Sequence, residues 1–383
     1  MKKVLILGGG IGGAASAIAF RKKGFEVELV SERDYLFIYP LAIWIPVGKA
    51  QFKDVSIPLS KVAEKHGFAL TIDKVIALDG MHKTITFERG GVRNSPALVV
   101  VALGASKVKH EGIEHTSSIC GKPEESLVLK EKIEELVKRG SGKIAFGFGG
   151  NPKDTSGVRG GPAFELFFNL HHHLKKLGIR DNYEMTFFAP MAEPGARMGK
   201  KALAAMAAMF KAKNLTTRYG KKIKRFEADG IVFEDEGKLQ SELCMFIPAG
   251  EGHELIRKSN LPQNEAGFIR IDNFCRIERV SGWYAVGDAA ALEGPEWKAK
   301  QGHIAELMAN NSASNAAIEH FGGQGVMKGY QDHLNVLCVM DMGDGAGFVY
   351  KNSLREVFIP MPVVGHWLKK SWGHYYKLSK LWL

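Results

Sequence analysis

What this chain lacks narrows what it can do. Its 383 residues include only four cysteines, Cys120, Cys244, Cys275 and Cys338, and no two form a C-x-x-C pair. No Cys/His spacing reads as a zinc site, so no metal is expected. Thiols this far apart suit burial or redox chemistry better than a disulfide framework. No stretch of 18 apolar residues occurs, which argues against a membrane-spanning helix. There is no long Lys/Arg block either, so nucleic acid is not an expected partner. The formal net charge of +11 nevertheless favours anions or an acidic membrane surface. No signal peptide is read at the start, because Met1-Lys2-Lys3 leads straight into the apolar run Val4–Leu7.

What is present begins at that run. Val4–Leu7 is followed by Gly8-Gly9-Gly10-Ile11-Gly12-Gly13, a small-residue helix and the strand Val27–Ser31, which ends at Glu32. Gly8, Gly10 and Gly13 fill a G-x-G-x-x-G pattern. The first permits a tight turn, the second lets backbone approach a pyrophosphate, and the third lets helix pack on strand. The helix N-terminus presents free N–H groups to the anion, and Glu32 is placed to accept from a ribose hydroxyl. A dinucleotide is therefore expected, either FAD or NAD. The apolar run Leu98–Leu103 ending at Gly104 predicts a buried parallel strand.

A second strand–glycine element, Lys143–Gly150, starts in the same way but breaks into the polar loop 151–161. The expected fold class is α/β with two Rossmann-like domains and a C-terminal membrane-associating region. The boundaries are residues 1–105 for the first part of the dinucleotide domain, 106–250 for the second domain, 251–325 for completion of the first, and 326–383 for the C-terminal region.

The strand Trp283–Val286 ends in Gly287-Asp288, where a carboxylate can reach a polyol hydroxyl. So late in the chain, this resembles the second FAD motif of two-dinucleotide-binding-domain flavoproteins, and it favours FAD as the cofactor. A helix starting near Gly302 and His303 would point its positive end at an anionic reduced flavin. Three further segments resemble the sulfide:quinone oxidoreductase and flavocytochrome c sulfide dehydrogenase family. They are Tyr35–Gly48, which includes Pro40, then Gly161-Pro162-Ala163-Phe164-Glu165, and Ala299-Lys300-Gln301-Gly302. The resemblance runs over the whole chain and implies Gly8, Gly10, Gly13, Glu32, Pro40, Gly104, Gly287, Asp288 and Gly302 as cofactor contacts. It implies Cys338 as the late redox cysteine and Cys120 as the thiol near the flavin. Cys120 is either a covalent flavin link or a buried thiol.

The departures carry equal weight. The family's middle cysteine is replaced by Arg159, and two of its site histidines are absent, their places falling near Glu124 and Glu193. A disulfide or polysulfide bridge therefore has no usual partner for Cys338. Cys244 and Cys275 read as small buried hydrophobes. Arg159 is either a loop surface residue or an attractor of an anionic sulfur substrate. Glu165 is either a proton relay or a compensator of the helix dipole. Lys300 either polarises flavin or quinone, or is a solvated lysine.

The C-terminal segment places Val364, Trp367, Leu368, Trp372, Tyr375, Leu378 and Trp382 near one helical face, with Lys369, Lys370, Lys377 and Lys380 over much of the rest. A basic amphipathic helix of this kind suits an anionic bilayer interface. The combined expectation is a peripheral membrane protein, an FAD-dependent electron-transport enzyme that oxidises sulfide or a small sulfur species and reduces a membrane quinone. Its membrane contact is residues 363–383, and self-association is left open. The alternatives are a type II NADH:quinone dehydrogenase, or a relative whose sulfide chemistry is altered or lost with the middle cysteine.

Overall fold

The computed structural model describes residues 2–322 and 325–382. Among its strands, in chain order, are β1 (Lys3–Leu7), β2 (Glu26–Ser31), β3 (Ala69–Ile72), β4 (Leu98–Val101), β5 (Ala105–Lys107), β6 (Gly142–Phe148), β7 (Tyr183–Ala189), β8 (Thr216–Tyr219), β9 (Leu243–Ile247), β10 (Gly250–Gly252), β11 (Trp283–Ala285), β12 (Val336–Asp341), β13 (Gly345–Lys351) and β14 (Glu356–Pro362). The helices needed below are α1 (Ile11–Lys22), α2 (Glu125–Arg139), α3 (Gly161–Lys176), α4 (Lys200–Ala212), α5 (Gly302–Phe321) and α6 (Val364–Leu381).

Two parallel sheets organise the chain. The first has the order β11-β4-β1-β2-β3 and the second β8-β7-β6-β9. Their central strands read as unbroken apolar runs because both faces are buried. This is clearest in β4, where Leu98, Val99, Val100 and Val101 are all fully buried. The register pairs Val4 with Val27 on one side and with Leu98 on the other. Trp283 pairs with Val99, which brings a late strand beside the N-terminal ones.

This topology sets the position of the site. In an open parallel sheet, ligands bind outside the carboxyl ends of the strands, where the strand order reverses. Gly8 follows β1, Glu32 follows β2, Gly104 follows β4 and Gly287-Asp288 follow β11. Four separate stretches of sequence thus meet at one edge of one sheet. Helix α1 is built for close approach. Ala14, Ala15, Ala17 and Ala19 are buried, and α1 packs against α5, which presents Ala305, Ala309 and Ala313.

A third layer, the antiparallel sheet β12-β13-β14, carries Cys338 in the middle of β12. Helix α6 packs on this sheet. The third strand of the sheet, β14, leaves little trace in the sequence because Pro360 and Pro362 interrupt its alternation. Among the described residues, no helix is long and apolar enough to cross a membrane. Leu383, the last residue of the expected membrane contact, lies outside the described residues.

Helix α6 corrects one sequence expectation. Its apolar face is outward, with Val364, Trp367, Leu368, Trp372, Tyr375, Leu378 and Trp382 all exposed. Its inner face is Gly365, Lys369, Gly373 and Tyr376. The two glycines allow close approach, since a Cβ at Gly365 would strike Ala346 and one at Gly373 would meet the Leu41 side chain. Lys369 and Lys380 do not face a bilayer as expected. Each turns inward to a carboxylate, Lys369 to Glu165 and Lys380 to Glu306. The i, i+4 repeat Gly365, Lys369, Gly373 marks this inner face in the sequence.

Candidate functional site

The glycine turn after β1 has the shape an anion needs. Gly8 has φ +109°, and a Cβ there would strike the Ala102 carbonyl. A Cβ at Gly13 would strike the Gly8 carbonyl, so only glycine lets α1 sit this close to β1. Gly10 faces open space and caps α1 without a side-chain hydrogen bond. No acidic residue stands in the first turn, so its N–H groups are free for a phosphate. Glu32 is exposed at the end of β2, with Lys74 at 3.9 Å. These residues fit a dinucleotide pyrophosphate and its ribose.

The glycine pair after β6 is different. Helix α1 begins at Ile11, directly after the first turn, whereas α3 begins only at Gly161, well after Gly149-Gly150. The intervening loop is held by a turn in which Asp154 Oδ1 accepts from Ser156 N at 2.9 Å. Pro162 then removes one N–H from the first turn of α3. A second phosphate cradle is not formed there.

Asp288 is half-buried and ion-paired with Arg159. Burial alone would raise its carboxyl, but Arg159, Lys300 and Lys107 together hold it below the usual range. Arg159 is therefore no surface loop residue. Asp288 holds its side chain at the end of β11, with Cys120 and Tyr39 acting on its charge. Lys300 is not a solvated lysine either. It is 7% exposed, donates to the Ala290 carbonyl, and stands 3.9 Å from the centroid of the Phe268 ring. Burial pulls its ammonium down to about 8.

Cys338 is half-buried and reaches this region through Gln301. The Gln301 side-chain amide donates to the Leu337 carbonyl at 2.9 Å, and its oxygen accepts from Leu337 N at 3.2 Å. Gln301 directly precedes α5, so the clasp ties the strand of Cys338 to the helix that follows Gly287-Asp288. Burial pushes the Cys338 thiol up to about 12; Glu165 adds to the rise and Lys369 opposes it. Cys120 lies on a separate loop with other neighbours, Lys107, Arg159 and Asp288. Both thiols are free. Cys244 and Cys275 are buried free thiols in the core.

Behind Cys338 runs a buried polar network that the sequence did not reveal. Glu165 accepts from Lys369 and from Asp341 N at 2.7 Å. Burial raises the Glu165 carboxyl, outweighing the opposing pull of Lys369. Asp341 Oδ2 accepts from Trp44 Nε1 at 2.5 Å, and His366 Nδ1 lies 3.0 Å from the same oxygen. Asn169 joins the two backbones, donating to the carbonyls of Glu165 and Asp341. Glu165 is thus more than a compensator of the helix dipole. Its pairing links α3, β12 and α6. Pro40 opens the short 3-10 turn Tyr39–Trp44, which carries Trp44 into this network. Gly104 has φ +76° and borders open space. A Cβ at Gly302 would press on Ile11.

A model of the family described as pyridine nucleotide-disulphide oxidoreductase matches residues 2–312. The sulfide-quinone reductase of Aquifex aeolicus is 26% identical over 400 residues, covering 99% of this chain and 89% of that protein. The crystal structure of the sulfide:quinone oxidoreductase from Aquifex aeolicus superposes with a TM-score of 0.88 at 23% identity, covering 100% of this chain and 92% of that one. The structure of NDH2 from Plasmodium falciparum gives a TM-score of 0.78 at 12% identity, covering 99% and 97%.

Proposed function

Because the chain belongs to the pyridine nucleotide-disulphide oxidoreductase family, we propose that it is a membrane-peripheral FAD enzyme that oxidises sulfide, or a related small sulfur species, and reduces a membrane quinone. The observation that carries this reading is the meeting of the glycine cradle and Gly287-Asp288 at one end of one sheet, with Gln301 holding the strand that bears Cys338 to the start of α5. A relative named for the same donor and acceptor matches along nearly the whole chain.

Gly8, Gly10 and Gly13 would hold the pyrophosphate of FAD, Glu32 its ribose, and Asp288 its polyol. Bound there, FAD supplies a two-electron store between donor and acceptor. The start of α5, with no acidic residue in its first turn, would offer partial positive charge to the bound group. Cys338 presents the thiol that meets the sulfur donor. Glu165 and Lys369 hold a proton in a water-poor pocket beside it, for a quinone that must take up protons with its electrons.

The outward tryptophans of α6 give the acceptor side its surface. Deleting α6 is a poor test of this, because it would also strip Lys369 from Glu165. Trp367→Glu with Trp372→Glu changes the outward face and leaves the Lys369–Glu165 pair in place. It is expected to lower binding to anionic lipid vesicles by at least about tenfold without lowering the melting temperature. Unchanged co-sedimentation with vesicles would refute the contact.

The fold likeness to NDH2 supports a second reading, in which NADH is the donor. The missing cradle after β6 opposes it. Anaerobic addition of each donor to the FAD-loaded protein separates the two. Sulfide is expected to bleach the flavin within the mixing time of a hand experiment, and NADH to leave it oxidised. Bleaching by NADH alone would overturn the proposal.

A further inference from the structure

Helix α6 keeps little of the positive charge that its sequence places on it. Lys369 and Lys380 are paired with Glu165 and Glu306. Lys377 donates to the carbonyls of Lys53 and Asp54 at 3.2 and 3.1 Å. Lys370 stands 5.4 Å from the centroid of the Trp367 ring and makes no hydrogen bond or ion pair among the described residues. An apolar face with one such cation binds lipid by burying its tryptophans, and it barely tells an anionic bilayer from a neutral one.

A second source of charge stands where α6 begins. The turn Gly343-Asp344 joins β12 to β13, and the Asp344 carbonyl accepts from Val363 N at 3.4 Å. Val363, Val364 and Trp367 are exposed and open the outward face at that point. Three separate segments bring basic side chains to the turn. Lys49 donates to the Gly343 carbonyl at 3.3 Å and to Asn169 Oδ1 at 2.8 Å. Lys213, directly after α4, pairs with Asp344 at 3.2 Å. From α3, His172 lies against Gly343, where a Cβ would strike its ring, and its Nδ1 is 4.0 Å from Asp344. Lys176 follows one turn later on the same side of α3, is exposed, and acts on the charge of Lys49.

Three lysines thus gather at a turn that holds one carboxylate, Asp344. An ammonium has three donors, and the contacts above leave donors over on each of the three. Phosphate is the chemistry that completes such a group, because it brings negative charge and several acceptor oxygens that ammonium groups bind as point charges. At the edge of a tryptophan face, that phosphate comes with a lipid.

We propose that Lys49, Lys176 and Lys213 form a headgroup site for an anionic phospholipid at the rim of the α6 surface. The site rests on the membrane contact proposed above and adds its selectivity. The tryptophans supply the hold on the bilayer, and the lysines at Gly343-Asp344 choose an anionic one. This division places the charge on three segments far from the C-terminal helix in sequence.

Co-sedimentation of the full chain with lipid vesicles tests the site. Vesicles of phosphatidylcholine alone are compared with vesicles that also contain phosphatidylglycerol. The unaltered protein is expected to prefer the second kind by about a hundredfold, from three lysines at about fivefold each. Lys49→Gln with Lys213→Gln should lose about 25-fold on the phosphatidylglycerol vesicles and change little on the neutral ones. Lys83→Gln with Lys138→Gln removes the same charge at exposed positions elsewhere and should lose less than about twofold. Trp367→Glu with Trp372→Glu should weaken binding to both kinds. Should that tryptophan variant bind both kinds as before, the membrane contact falls and the headgroup site with it. Equal binding of the unaltered protein to the two kinds, or equal losses from the two lysine pairs, would overturn the headgroup site and leave the contact standing.

Discussion

Replacing Cys338 with serine is expected to cut sulfide-dependent quinone reduction by at least about a thousandfold, with FAD still bound. The exchange swaps sulfur for oxygen at a half-buried position and disturbs no hydrogen bond of the cofactor cradle. It removes the thiol on the strand that Gln301 ties to the start of α5. With Arg159 in place of a second cysteine, no neighbouring thiol can take over. Retention of more than a tenth of the activity by the Cys338 variant would remove that residue from the account.

Lys369→Met is expected to destabilise the protein by about 3–5 kcal/mol, because it strands a buried carboxylate. Glu165 and Lys369 have side chains only 4% and 5% exposed, so water cannot substitute for the missing partner. The melting temperature should fall by roughly 10 °C. Adding Glu165→Gln to Lys369→Met should recover most of the loss, since a neutral pair carries no unpaired charge. The pH dependence has a definite sign. The Glu165 carboxyl already titrates above its usual range, and losing Lys369 raises it further. A group that holds its proton more tightly when folded favours the folded state at low pH. The deficit of Lys369→Met should therefore shrink as pH falls and grow as it rises. A deficit that does not change with pH, or none at all, would show that the pair is not what holds α6 to α3.

The two sites differ in how far the sequence foretells them. The turn at Gly8–Gly13 is legible because local geometry demands glycine at fixed spacing, and Gly287-Asp288 is legible because an apolar strand points to it. The pairing of β11 with β4 needs the fold, yet the motifs at both ends already imply it. Asp341, His366 and Gln301 carry no such mark. Their roles arise from strand pairing and from contacts between distant segments, as when Trp44 reaches Asp341. Helix α6 shows the same limit from the other direction. Its tryptophan face was plain, but which lysines turn inward depends on where Glu165 and Glu306 stand.

Sequential mixing of the FAD-loaded protein tests the central claim most directly. Anaerobic protein is first mixed with sulfide and then with a water-soluble quinone, and the yellow absorbance of the flavin is followed throughout. The account predicts that the band is lost on the first mixing and restored on the second, with one quinone reduced per flavin. A band that sulfide leaves intact, or one that quinone does not restore, would contradict it.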